Sequence, residues 1–142
     1  MDVTLYTRKN CPLCDEAKKT LLAARVAPRE VDVDLDPKLK RRFGNDVPVI
    51  FIGGEEAFRH RIEWRVVDGH HLEREFLFKD FAEALAFTNE IGAIAERQNH
   101  HPDILLGWGK VKVTTWSHDA NGVTARDFRL AGAIDGIQAP SP

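Results

Sequence analysis

Cysteine, methionine and tyrosine are scarce in this chain of 142 residues, which has only two, one and one of them. The two cysteines, Cys11 and Cys14, lie three positions apart. In a reducing compartment this spacing favours redox or metal chemistry over a structural disulfide.

Long apolar runs and a charge excess of one sign are also missing. No apolar run approaches the roughly 20 residues needed to cross a bilayer, so we expect no membrane partner. The net charge is −2 with 30% charged residues, which gives no overall basic surface for binding nucleic acid. A strand-like segment begins already at Val3, so we expect no targeting segment and a cytoplasmic protein.

The first third of the chain alternates strand and helix patterns. We predict strands at Val3–Thr7, residues 30–35 and residues 47–52. A helix follows Cys11 and ends before Pro28, and a second one follows Asp36-Pro37 and ends at Gly44. This β-α-β-α-β order predicts an α/β unit.

The pattern changes from Trp64 onward. Residues 64–67 and 72–78 predict an antiparallel pair across the Asp68-Gly69 turn. A long helix then begins after Asp80, and its core-facing stripe consists of Ala84, Phe87, Ile91 and Ile94. A strand at 111–118 and a helix capped by Thr124 and Asp127 complete an α+β unit with helices on an antiparallel sheet. We therefore divide the chain into domains 1–61 and 62–142, with Pro140 to Pro142 as a frayed tail.

Three histidines are the candidate acid–base groups of the second domain. His100 and His101 precede Pro102, and His118 ends the predicted strand at 111–118. Imidazole titrates near neutral pH, so several imidazoles in one pocket supply both a proton donor and a proton acceptor. Pro102 favours an extended His101, which points the adjacent side chains in different directions.

Two other interpretations of these histidines stay open. The pair can be a solvated surface pair, or the three imidazoles can bind one zinc ion. His70 and His71, beside the Asp68-Gly69 turn, are expected to be surface residues.

The order of the motifs in this half resembles pterin-4a-carbinolamine dehydratase. The resemblance rests on Phe78-Lys79-Asp80-Phe81, the long helix, Asn99-His100-His101-Pro102-Asp103, residues 114–118 and the Gly-x-Thr-x-Arg-Asp segment at 122–127. It covers the chain from about Trp64 to Ile137. It implies a four-stranded antiparallel sheet with helices on one face, and association into dimers or tetramers.

The same resemblance implies a reaction and its residues. A 4a-hydroxytetrahydropterin loses water to give the quinonoid dihydropterin, with His100, His101 and His118 in the catalytic positions. Pro102 shapes the loop, and Trp116 is a candidate for stacking on the pterin, although it can equally be structural bulk. The reaction needs neither a metal nor a redox cofactor. An aromatic amino-acid hydroxylase system is a possible partner.

Cys11-Pro12-Leu13-Cys14 lies between a strand and a helix start, where backbone N–H groups and the helix dipole stabilise a thiolate. Val47-Pro48 before a strand is a candidate cis-proline. Together these features resemble the glutaredoxin-like branch of the thioredoxin fold over residues 2–60. The resemblance implies that Cys11 attacks, Cys14 resolves and Pro48 lies beside the thiols. Two buried, inert cysteines are the alternative.

Each unit departs from its family at the junction. We find no helix between Phe58 and Trp64, where a thioredoxin-type unit has its third helix and a dehydratase its first. We therefore expect an incomplete thioredoxin-type unit, with part of its sheet either exposed or covered by the second unit.

These observations lead to one leading hypothesis, a pterin carbinolamine dehydratase with an accessory thiol–disulfide unit. The alternatives are a thiol–disulfide oxidoreductase whose second unit serves for dimerisation, and a protein-interaction module.

Overall fold

The first unit forms a four-stranded mixed sheet. The computed structural model describes residues 1–137, so the predicted tail at Pro140 to Pro142 lies outside the described residues. The strands lie in the order β2-β1-β3-β4, with β1 parallel to β2 and antiparallel to β3. The elements are β1 Val3–Thr7, α1 Pro12–Ala23, β2 Arg29–Asp32, a 3₁₀ turn Val33–Leu35, α2 Pro37–Phe43, β3 Val49–Ile52 and β4 Glu55–Arg59.

Two predicted strands of this unit are shorter than expected. β2 ends at Asp32 because the Asp32 carboxylate accepts a hydrogen bond from the Asp34 amide, at 2.9 Å, and so caps a 3₁₀ turn. β3 begins after Pro48, which has no N–H to donate to a ladder. The Val47–Pro48 peptide is cis, as predicted. The sequence analysis did not identify β4.

The second unit is an antiparallel sheet with two helices. The strands lie in the order β5-β6-β8-β7. One prediction was wrong here, since His118 lies in a 3₁₀ turn instead of at a strand end. The sequence analysis also did not identify the strand at 103–107. The elements are β5 Arg65–Val67, β6 His71–Leu77, α3 Phe81–Gln98, β7 Asp103–Gly107, β8 Lys110–Thr115, a 3₁₀ turn His118–Ala120 and α4 Ala125–Asp135.

Side-chain caps fix where both long helices begin. The Asp80 carboxylate accepts a hydrogen bond from the Glu83 amide at 2.9 Å, at the start of α3. Thr124 and Asp127 form a reciprocal capping box at the start of α4. The predicted stripe of α3 is buried, and on β8 Val111, Val113 and Thr115 face the helices.

A single hydrophobic core joins the two units. It contains Leu5, Leu21 and Ile50 of the first unit and Leu72, Phe128 and Ile134 of the second. α4 packs on β3 and β4, and the Phe58 and Phe128 rings lie 6.3 Å apart in an edge-to-face arrangement. The part of the first sheet formed by β3 and β4 is therefore covered by the second unit, which answers the open question about the junction.

α4 approaches β4 closely because it has a glycine where the two elements cross. A Cβ at Gly132 would lie 2.5 Å from the Ala57 carbonyl oxygen. This distance is too short for any side chain, so glycine is required for α4 to approach β4. Across residues 1–137, no helix combines the length and the apolarity needed to cross a membrane.

Candidate active site

Asp127 lies at the centre of the candidate site. Its side chain is fully buried at the start of α4, next to the end of β8. One oxygen accepts hydrogen bonds from Thr115 Oγ1 and His100 Nε2, both at 2.6 Å. The other accepts from Ser117 Oγ at 2.8 Å and the Thr124 amide at 2.9 Å. Four donors thus converge on one carboxylate.

The charge state of Asp127 determines which ring nitrogen of His100 carries the hydrogen. Burial acts to raise the pKa of Asp127, but the hydrogen bonds from His100, Thr115, Thr124 and Ser117 outweigh it and the pKa is lowered. The carboxylate is therefore ionised at neutral pH and can only accept. His100 must donate through Nε2–H, which leaves Nδ1 for proton exchange.

His101 points away from this carboxylate, as expected from Pro102. Its Nε2 pairs with the Glu96 carboxylate one turn back on α3. Its side chain is 56% exposed, against 11% for His100. The two adjacent imidazoles therefore have different carboxylate partners and different access to water.

His118 is exposed and lies on an aromatic neighbour. Its ring stacks on Trp116, with the ring centroids 4.6 Å apart and the planes at 18°. Ser117, between these two residues, binds Asp127. Asp127 thus connects the His100 stretch of the chain to the His118 stretch, although the two imidazoles have different partners.

His70 and His71 are partly exposed, and both lie beside Trp116. Both are half-buried, their Nδ1 atoms lie 3.2 Å apart, and their rings lie 5.3 Å and 6.3 Å from the Trp116 ring. The reason is the strand register, in which Leu72 faces Thr115 and so places the preceding His71 beside Trp116. No local sequence signal predicts this proximity, because it depends on the pairing of two strands that are distant along the chain.

The candidate histidines lie outside the cavities described for residues 1–137. His100, His101 and His118 line none of the five cavities of about 350–480 Å³ described within residues 1–137. In the same range, no group of three or more His, Cys, Asp or Glu side chains is placed to hold a metal ion. The three imidazoles engage three different neighbours, so their arrangement gives no support to the three-histidine zinc site.

The cysteines lie on the first unit. Cys11 is the N-cap of α1, and its sulfur accepts a hydrogen bond from the Cys14 amide at 3.1 Å. The two residues form a disulfide. Cys14 is buried with 2% exposure, while Cys11 is half-buried, so Cys11 is the more accessible sulfur.

Fold and site together define a composite protein. A thioredoxin-type unit with a Cys-x-x-Cys helix start is joined to an α+β unit with carboxylate-paired histidines. The model of the family described as pterin 4 alpha carbinolamine dehydratase matches residues 54–137, and that of a glutaredoxin-like domain matches residues 2–77. The chain belongs to the pterin-4a-carbinolamine dehydratase family and has a glutaredoxin-like N-terminal region.

Individual relatives agree with this assignment. Two proteins with the name "Putative pterin-4-alpha-carbinolamine dehydratase" are similar to the second unit. The one from Alkaliphilus metalliredigens is 53% identical over 77 residues, which are 54% of this chain and 69% of the relative. The one from Rubrobacter xylanophilus is 51% identical over 81 residues, or 57% and 76% of the two chains.

A solved structure shows the same fold. The crystal structure of a transcriptional coactivator/pterin dehydratase from Brucella melitensis is 37% identical, with a TM-score of 0.51. The match covers 55% of this chain and 83% of that one.

Proposed function

We propose that the protein dehydrates 4a-hydroxytetrahydropterin to quinonoid dihydropterin by histidine acid–base catalysis. A protonated imidazole delivers its proton to the 4a oxygen, which leaves as water. A neutral imidazole removes the ring-nitrogen proton, and the electron pair left on nitrogen forms the C=N bond. The observation that carries this proposal is the 2.6 Å bond between His100 and the buried Asp127 carboxylate.

The carboxylate gives His100 a defined role. It holds the ring in one orientation and one tautomer, so that Nδ1 is the atom that exchanges protons with substrate. The side chains of His101 and His118 are exposed, so a substrate can reach them from the solvent. We assign proton transfer to all three, and the structure leaves acid and base interchangeable among them.

Trp116 and Pro102 supply the proposed substrate contacts. Trp116 already stacks on one flat ring, that of His118, and is half-buried, so a pterin can extend this stack. Pro102 fixes the backbone that separates the two histidine side chains. Together these residues place a flat bicyclic substrate beside the imidazoles.

The direct test is an absorbance assay of carbinolamine dehydration with the full-length protein. His100→Ala and His118→Ala should each slow turnover by about 10²–10⁴-fold, the usual contribution of a positioned proton-transfer group. His60→Asn is the matched control, because His60 is an exposed histidine of the first unit and Asn tolerates its positive φ of 72°. Turnover of both alanine variants at the rate of this control would refute the mechanism.

A thiol–disulfide activity of the first unit is the second candidate function. It is supported by the Cys11–Cys14 pair at a helix N-terminus, in which Cys11 is the accessible residue and Cys14 is buried. In this proposal Cys11 attacks a disulfide, Cys14 resolves the mixed disulfide, and cis-Pro48 lies beside them. Reduction of a small disulfide by the protein, lost in Cys11→Ser, would support it.

We extend the proposal to the organisation and partners of the protein. Residues 1–61 carry the thiol chemistry and residues 62–142 the dehydration, in a cytoplasmic homo-oligomer that serves an aromatic amino-acid hydroxylase system. The name of the Brucella relative pairs coactivator with dehydratase, so a protein-interaction role of the second unit is the alternative. Full dehydratase activity that depends on His100 would favour the enzyme.

A further inference from the structure

His70 and His71 form a hydrogen-bonded pair beside the candidate site. They lie at the start of β6, where the His70 amide donates to the Val67 carbonyl at 2.9 Å and closes the β5–β6 turn. Both rings pack near Trp116, which stacks on His118. The proposed reaction uses His118 but neither His70 nor His71, and all three imidazoles lie against Trp116.

The short Nδ1–Nδ1 distance determines how the pair is protonated. At 3.2 Å, one Nδ1 must carry the hydrogen and the other must accept it. Glu73 decides between the two arrangements, because its carboxylate lies 3.9 Å from His71 Nε2. A negative charge at this distance favours the His71 tautomer with hydrogen on Nε2.

Glu73 is ionised for reasons independent of the histidines. The hydrogen bond from Arg65, and the charge of Lys112, hold its pKa below the ordinary value against the effect of partial burial. Arg65 and Lys112 are also the cations that face this carboxylate, so they weaken its attraction for a proton on His71.

The tautomer of His70 follows from that of His71. With hydrogen on Nε2, His71 accepts through Nδ1, so His70 donates through Nδ1. The lone pair of neutral His70 is then on Nε2, an atom with no hydrogen-bond partner within residues 1–137. In this row the Glu73 charge acts on His71 over 3.9 Å, His71 accepts a hydrogen bond from His70, and His70 presents a proton acceptor at the end.

We propose that His70 is a further proton-transfer residue of the dehydration site, with His71 as the positioning residue that holds it in the accepting tautomer. The inference rests on the proposed function. His70 Nε2 takes the ring-nitrogen proton of the carbinolamine while the C4a–O bond breaks. Another imidazole supplies the proton with which the hydroxyl leaves as water, and His70 then returns its proton to solvent. No oxidant or reductant is involved.

The test separates the two nitrogens of His70 in the full-length protein. In His70→Asn the side-chain amide N–H can still donate to His71, but the atom at the Nε2 position is lost. We expect kcat for carbinolamine dehydration to fall by about tenfold or more, with KM within about twofold and an unchanged melting temperature. Imidazole added to the assay should restore part of the lost rate to this variant and should leave His60→Asn unaffected.

His71 gives the matching positioning test. In His71→Asn a side-chain oxygen can still accept from His70 Nδ1–H, and turnover should stay near that of the unmodified protein. His71→Phe keeps an aromatic ring without an acceptor, and its kcat should fall toward that of His70→Asn. Because a base must be deprotonated to act, a pH–rate profile that loses its low-pH limb in His70→Asn would be a second sign of proton transfer.

The outcomes distinguish this proposal from the one on which it rests. Active protein with a slow His100→Ala and an unaffected His70→Asn would overturn the role of His70 alone. A rise in KM without a fall in kcat would make His70 a substrate contact and would also overturn proton transfer. If the unmodified protein does not accelerate dehydration at all, the proposed function and this inference both fail.

Discussion

Trp64 Nε1 donates a hydrogen bond to Asp135 Oδ1 at 2.9 Å, joining the start of the second unit to the end of α4. Arg74 donates to the same oxygen at 2.8 Å. Burial nevertheless raises the pKa of Asp135, and the attraction of Arg74 and the Trp64 bond only partly offset it. The ionised form is thus less favourable in the folded protein than in the unfolded chain.

Asp135→Asn should therefore stabilise the protein at neutral pH. The pKa of Asp135 is higher in the folded state than in the unfolded chain. Its contribution to stability is therefore fully present at a pH below the unfolded-state pKa and is lost as the pH rises through the folded-state pKa. Asn keeps an oxygen for Trp64 and removes the partly buried charge. Urea unfolding at pH 7 and pH 3 should show a gain only at pH 7, and a variant that is less stable at pH 7 would contradict the expectation.

Asp127→Asn should have the opposite effect. The folded pKa of Asp127 is lowered, so its stabilisation is present above the unfolded value and is lost as pH falls through the folded one. Asn offers one acceptor oxygen to four donors, so buried donors lose their partner. Each unpaired buried donor lowers the free energy of unfolding by about 1–3 kcal/mol. The loss in unfolding free energy should be large at pH 7 and smaller near pH 3. An equal loss at both values would show that charge is unimportant here.

Gly132→Ala should destabilise the contact between α4 and β4. A methyl group there would meet the Ala57 carbonyl at 2.5 Å, so backbone must move, and such overpacking costs about 1–3 kcal/mol. Gly92→Ala is the matched control, since it lies within α3 with no atom within 4 Å of its added Cβ and should gain about 0.5–1 kcal/mol. Thermal unfolding measures both, and equal shifts would disprove the close contact.

The two cysteines should differ in reactivity once the disulfide is reduced. In Cys14→Ser the remaining Cys11 is half-buried at the helix start, whereas in Cys11→Ser the remaining Cys14 is 2% exposed. Thiolates at helix N-termini are stabilised, so Cys11 should react with iodoacetamide near neutral pH much faster than Cys14. Mass spectrometry of labelling with time measures the two rates, and comparable rates would remove the proposed attacking role from Cys11.

Local sequence signals predicted most of the fold. Helix starts were found because Asp36, Asp80 and Thr124 cap them with their own side chains, within three residues. The strands that were missed, β4 and β7, have weak alternation, and their pairing with β3 and β8 depends on the rest of each sheet. The end of β2 depends on one capping bond of Asp32, which alternation of Val31 and Val33 does not reveal.

The site was only partly predictable for a similar reason. The motif identified His100, His101 and His118 as candidates, and Asp127 was found as a cap of α4. The hydrogen bond between Asp127 and His100 was not predicted, because it joins positions 27 residues apart. The proximity of His70 and His71 to Trp116 was not predicted because it depends on the register between β6 and β8. Contacts between distant strands follow from packing, which spacing along the chain does not encode.

The covering of the first sheet by α4 has a consequence for dividing this protein. A fragment ending near residue 61 would expose the apolar faces of β3 and β4 to water, and a fragment beginning there would expose the facing side of α4. Each is expected to aggregate when expressed alone. A single proteolytic cut near Arg61 would instead leave two pieces held together by the shared hydrophobic core.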